Sequence, residues 1–243
     1  MNNKTLLIKI PQWGMITFIL CIIFGMLLYP GGTEENSEKY QFNSIQNNQF
    51  SEGYSLANNF LSDLGRYEAH NGQNNLYSFL LFNTALIIVG FVICIFFLHV
   101  RSLFNLELGF PYWISIFGSI FGVAAGYSIM GVALTPADLY IKPHIACAHL
   151  FFRFFALSVT CYSIVMFKTK LISKKYALGY CFFACMLLLY ILISEIGPTP
   201  HHQQSIVLLQ FALLLQVVSQ KGILLCFFIV LYMQNKGLKS IIE

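Results

Sequence analysis

Six stretches of apolar residues alternate with polar connections along the chain. Each approaches the roughly 20 residues that carry a helix through the hydrocarbon core of a bilayer. The pattern predicts helices over Trp13–Tyr29, Tyr77–Val100, Trp113–Thr135, Ile145–Phe167 and Tyr176–Ile196, with a last one ending near Gln234. The last run is long: Ser205 to Met233 is interrupted only by Gln210, Gln216, Gln220 and Lys221. As one helix it would measure about 44 Å, beyond the ~30 Å core. It therefore either projects past the membrane or breaks near Ser219 to Gly222, with Gln216 and Gln220 on one face expected to turn inward.

The polar connections are uneven. Gly31 to Asn75 is the longest, and residues 33–53 are rich in Asn, Gln, Glu and Ser with little to bury, the composition of a flexible loop. From Tyr54 the pattern changes. Leu56, Phe60, Leu61 and Leu64 recur at helical intervals before Gly65, which predicts a short amphipathic helix over 54–64 lying on the outer surface. The first apolar span follows Lys4 and Lys9, as a secretory signal would, but its exit, Leu28-Tyr29-Pro30-Gly31-Gly32, lacks a small-x-small cleavage pattern, so a retained helix is expected. Gly118, Gly122 and Gly126 form a small-xxx-small stripe. Such a stripe serves close helix contact, either within the bundle or across a homo-oligomer.

Composition fixes the class. Of 243 residues, 57% are hydrophobic and 10% charged, against about 25% charged in soluble domains. The sequence describes an all-α polytopic membrane protein, one six-helix domain spanning residues 1–243. The net charge of +4 is spread through loops, so the clustered basic face of a nucleic-acid binder is missing and that role is excluded. All seven cysteines lie in apolar stretches and none in the long polar loop, which argues against a disulfide framework.

Charge also predicts orientation. Lys4, Lys9, Arg101, Lys168, Lys170, Lys174, Lys175, Lys236 and Lys239 all fall on one side of a six-pass topology. By the positive-inside rule that side is cytoplasmic, and both termini with it. The acidic residues of the opposite connections, Asp63, Asp138 and Glu195 among them, then face outward.

The segment Pro136 to Arg153 concentrates the unusual chemistry: Asp138, Lys142, His144, His149 and Arg153 stand at the seam of two apolar spans. Ionisable groups at the edge of a bilayer are costly and point to function. His149 and Arg153, four apart, share a helical face and are expected to look into the bundle.

Four separated features resemble a known pattern: Tyr29-Pro30-Gly31-Gly32 after the first helix, Asn59-Phe60-Leu61-Ser62-Asp63-Leu64-Gly65 before a second helix containing Leu81-Phe82-Asn83, Gly131-Val132-Ala133 leading into Asp138, His144 and His149, and Gln220-Lys221 in the last helix. Together they resemble the prokaryotic six-helix membrane family known as domain of unknown function 998, and more distantly the eukaryotic Frag1/DRAM/Sfk1 group. The resemblance covers nearly the whole chain. It implies a six-helix membrane fold. The prokaryotic family has no assigned activity; members of the eukaryotic group are associated with lipid remodelling and lipid distribution. Lys221 stands where the family more often shows Arg, a point charge in place of a planar fork.

Three readings of the outer polar residues stay open. Ser62, Asp63, Asp138 and His149 could be catalytic, with Arg153, His144, Arg66, Gln220 and Lys221 binding an anionic lipid headgroup. Asp138, His144 and His149 are of the types zinc uses, although their spacing matches no compact motif. Alternatively the residues form a structural network, Asp63 capping its loop and Asp138 paired with Lys142, Arg153 or Lys221. Glu195, His201 and His202 are further candidates. The preferred expectation is binding or modification, by hydrolysis or transfer, of a membrane lipid at the outer leaflet of a bacterial inner membrane. A non-catalytic scaffold and a small transporter are the alternatives, the latter disfavoured because the polar groups gather at one side and no inverted repeat is visible.

Overall fold

A computed structural model describes residues 2–33, 52–104, 109–196 and 206–242, with side chains in the last segment from Gln210 onward. Most of the connection expected to be flexible, and both His201 and His202, lie outside the described residues. The remainder is helical: a π-helical turn, Thr5–Lys9, leads into α1 (Ile10–Leu28), followed by α2 (Leu76–Val100), α3 (Phe110–Leu134), α4 (Ile141–Lys168), α5 (Lys174–Ile196) and α6 (Ile206–Ile242). All six are long and apolar enough to cross a bilayer, which makes this a multi-pass membrane protein. Large apolar side chains such as Leu27, Phe91, Trp113, Leu178 and Ile229 point outward from the bundle, where lipid replaces water as the solvent.

Short connections make sequence neighbours antiparallel, and each helix packs against the next, most extensively α3 against α4 and α2. The glycine stripe explains why. A Cβ on Gly118 would lie 2.9 Å from the Tyr162 ring, one on Gly126 2.5 Å from Cys94 Sγ, and one on Gly122 inside the Phe97 ring. The stripe is thus consumed within the bundle between α2 and α4.

The buried apolar residues form two cores, the larger of which also reaches Phe155, Phe183 and Tyr190. One joins Leu7 and Ile8 of the N-terminal turn to Val100, Phe104, Tyr162, Val165, Met166 and Leu238. These residues lie at the lysine-rich end. The other joins Tyr29, Phe82, Val132 and Ala133 to Leu61, Leu64 and Ala69 of the connection before α2. That connection is therefore a packed cap closing one end of the bundle.

Two elements differ from the sequence expectation. Residues 54–64 are not one amphipathic helix: a turn at Leu56–Asn58 is followed by extended Phe60 (ψ 155°) and a 3-10 helix, Leu61–Gly65. Leu61 and Leu64, three apart, are buried at the 3-10 period, whereas Leu56 is 64% exposed. Helix α6 is continuous through Ser219–Gly222. Its 37 residues span about 55 Å at 1.5 Å per residue.

Candidate functional site

The cap is built by short polar side chains that bond to the backbone. Asn59, with no exposed surface, donates through Nδ2 to the Gly32 carbonyl (2.9 Å) and to Asp63 Oδ2 (2.9 Å), and its Oδ1 accepts from the Ser55 amide (2.9 Å). Asp63 Oδ2 also accepts from the Phe60 amide at 2.9 Å, capping the 3-10 turn. Its Oδ1 lies 3.2 Å from His70 Nε2, both side chains almost wholly buried. Downstream, Asn75 Nδ2 donates to the carbonyls of Arg66 (2.8 Å) and Leu64 (3.2 Å), Ser78 Oγ to Leu64 O (3.1 Å), and Asn83 Nδ2 to Gly65 O (3.1 Å). Gly65 fits because a Cβ there would press on Phe82 at 2.7 Å.

Helix α6 holds the cap from the other side. Gln220 Oε1 accepts from the Leu61 amide (2.8 Å), and Lys221 Nζ donates to the Asn59 carbonyl (2.6 Å) while lying 5.5 Å from the centre of the Tyr54 ring. Tyr54 donates its hydroxyl to the same carbonyl at 3.1 Å. Burial, with the Asp63 carboxylate and Tyr29 adding to it, pushes that hydroxyl far above its ordinary pKa, so it stays a neutral donor.

Below the cap lies a half-open cavity of about 840 Å³, within the ~300–1,000 Å³ of small-molecule sites. Seven of the residues singled out from sequence line it: Ser62, Asp63, Arg66, Asp138, His144, His149 and Gln220. Tyr190, Ser194 and Gln216, of which only Gln216 was picked out beforehand, add polar atoms. Its deeper wall is apolar, formed by Ile93, Phe155, Phe183, Leu224 and Phe227. There the Phe155 ring centre lies 5.8 Å from both Phe183 and Phe227. A polar rim over an aromatic floor is an amphiphile-shaped environment.

The rim residues are held in different ways. Asp63 is fully engaged by the cap. Asp138, at the turn before α4, accepts from the Glu68 amide through Oδ2 at 2.9 Å; its buried Oδ1 has no partner among the described residues. The expected partners Lys142, Arg153 and Lys221 do not reach it. Arg66 donates Nε to the Glu68 carbonyl at 3.1 Å, so Arg66 and Asp138 are pinned to the two sides of one backbone residue. His144, 8% exposed, donates Nδ1–H to the Thr135 carbonyl at 2.7 Å, which fixes its tautomer, and the Val132 carbonyl is a second neighbour. Ser62 Oγ makes no hydrogen bond among the described residues.

Three expectations are corrected. His149 and Arg153 do not face inward together: at about 100° per residue, the cavity-lining arc of α4 runs from Phe151 through His144, Ala148 and Phe152 to His149 at its edge, and Arg153 lies about 40° beyond it. Arg153 instead donates to Glu195 on α5, Nη2 to Oε1 at 2.8 Å and Nε at 2.9 Å, with half of its side chain exposed. Lys221 belongs to the cap clamp and does not line the cavity. Asp138, His144 and His149 do not converge as a metal set; among the described residues no three or more His, Cys, Asp or Glu lie close enough to share an ion.

His70, central to the cap, carries no motif, and Asn59, although it opens the 59–65 motif, is assigned no role by the sequence; both are recognisable as cap residues only once the loop folds onto α1 and α2. Compared with known proteins, the chain matches no family model, no curated protein and no solved structure.

Proposed function

We propose that this protein binds, and by hydrolysis or transfer modifies, a lipid of the outer leaflet of a cell membrane, through the capped cavity on its extracytoplasmic side. The observation that carries the reading is the cavity itself, a rim of Arg66, Asp138, His144 and Gln220 above a floor of Phe155, Phe183 and Phe227. A soluble metabolite has no use for such a floor, and an alkane no use for such a rim. The sidedness rests on the lysine-rich opposite end, which the positive-inside rule assigns to the cytoplasm. The more distant resemblance to the eukaryotic group associated with lipid remodelling and distribution points the same way, and a bacterial inner membrane suits it. In this reading Asp63 is structural, since both its oxygens are engaged by the cap, and the groups left for a ligand are Ser62, Arg66, Asp138 and His149.

The test is lipid retention. Full-length protein is extracted in mild detergent and its bound lipid quantified by mass spectrometry, wild type beside a double variant, Ala148→Trp with Leu213→Trp, which fills the cavity between α4 and α6. Wild type is expected to retain lipid stoichiometrically and the double variant to lose most of it while keeping its helical content. Equal retention by a folded double variant would sink the proposal.

A further inference from the structure

The headgroup that fits this rim can be narrowed from the way its two strongest charges are held. Arg66 and Asp138 come from distant parts of the chain, yet both are anchored on Glu68, Arg66 Nε on its carbonyl (3.1 Å) and Asp138 Oδ2 on its amide (2.9 Å). Both line the cavity. They are neighbours of opposite charge that do not pair with each other: the ion pairs formed among the described residues are His70 with Asp63 and Arg153 with Glu195.

Each is also only half used. Arg66 spends one N–H on Glu68 and keeps the two Nη groups, the planar fork that suits a phosphate. Asp138 has one oxygen on an amide and the other, Oδ1, covered and without a partner among the described residues. A carboxylate oxygen left unpaired in a low-dielectric site is unfavourable, and a donor that reaches it recovers that cost. The other rim carboxylate, Asp63, is already satisfied and does not compete.

We propose that the rim selects a zwitterionic headgroup made of a phosphodiester and a primary ammonium, with the phosphate on the Arg66 fork and the ammonium on Asp138. This deepens the lipid reading and rests on it. The donor requirement decides between zwitterions: a primary ammonium has N–H groups to give a carboxylate, whereas a quaternary choline has none. An anionic headgroup such as phosphoglycerol satisfies Arg66 and offers Asp138 hydroxyl donors, but no positive charge to balance the carboxylate, and the charge-assisted bond is the stronger. Ethanolamine phospholipid is the class that meets both demands.

The experiment uses delipidated full-length protein in detergent, titrated with dioleoyl phosphatidylethanolamine, its N,N-dimethyl derivative, phosphatidylcholine and phosphatidylglycerol, with bound lipid read by native mass spectrometry. Affinity is expected to fall stepwise as methyl groups replace N–H donors, by about tenfold overall, the loss expected for one hydrogen bond to a charged group. Asp138→Asn should abolish the preference for ethanolamine over choline while retaining lipid, and Arg66→Gln should weaken every phospholipid. Equal affinity for the ethanolamine and choline lipids in wild-type protein, which needs no variant to fold, would overturn the headgroup assignment and leave lipid binding standing. Absence of binding by all four lipids to folded protein would overturn both. Soluble glycerophosphoethanolamine marks the source: failure to displace the lipid at equal concentration supports a membrane ligand, and full displacement would overturn the lipid while keeping the headgroup.

Discussion

Ser62 and Asp63 are adjacent, both polar and both on the cavity, yet they do different things. Asp63 accepts from Asn59 and from the Phe60 amide and sits against His70, with 3% of its surface exposed. Truncating it strands those donors, at a cost of roughly 1–3 kcal/mol for each one left unpaired in the interior. Ser62 has no partner among the described residues to lose. Asp63→Ala is therefore expected to lower the unfolding midpoint in detergent by several degrees and to expose the 54–65 segment to protease, whereas Ser62→Ala should leave stability within about 0.5 kcal/mol of wild type. Thermal unfolding of the two purified variants separates the roles. If both variants melted like wild type, the cap would not depend on the Asp63 network. For the acid, sequence left capping open beside catalysis. Its buried partners were not legible, because Asn59 and His70 acquire their surroundings only when the loop meets α1, α2 and α6.

At the scale of elements, glycines report how tightly each helix is held. Gly122 of α3 faces the Phe97 ring so closely that any Cβ collides with it, while Gly222 of α6 has nothing within 4 Å of the position its Cβ would take. Both lie inside helices, where glycine costs about 0.5–1 kcal/mol relative to alanine. Gly222→Ala should accordingly stabilise the protein by about that amount, and Gly122→Leu should destabilise it by at least the ~1–3 kcal/mol typical of overpacking. Detergent-unfolding midpoints check both signs. A stable, native-like Gly122→Leu protein would mean that α2 and α3 do not pack through the stripe. The six helices themselves were readable, since a bilayer demands long apolar runs and no soluble fold supplies six. The 54–64 segment was misread because apolar spacing does not register side chains that compete for the backbone. Asn59 and Asp63 take amides that an α-helix would have needed, and the burial of Leu61 and Leu64 follows the tighter 3-10 turn. The inward placement of Arg153 failed for a geometric reason: shared spacing with His149 fixes a face only to within a turn, and the packing of α4 against α3 and α5 decides which way it looks.

For the whole molecule, the two ends differ in kind. One carries Lys4, Lys9, Arg101, Lys168, Lys170, Lys174, Lys175, Lys236 and Lys239 around an apolar core; at the other, Arg66, Arg153 and Lys221 each bond a local partner, on Glu68, Glu195 and Asn59, and Lys142 stands in the first turn of α4. Lysines in short connections set orientation during insertion. The cap should therefore face out of the cell, and with it the cavity. In a cysteine-free background, Gln73→Cys at the exposed tip of the cap is expected to react with a membrane-impermeant maleimide in intact cells, and Lys170→Cys in the α4–α5 connection only after permeabilisation. The reverse pattern would put the cavity at the inner leaflet, where the same headgroup chemistry would act on lipid drawn from the cytoplasmic face.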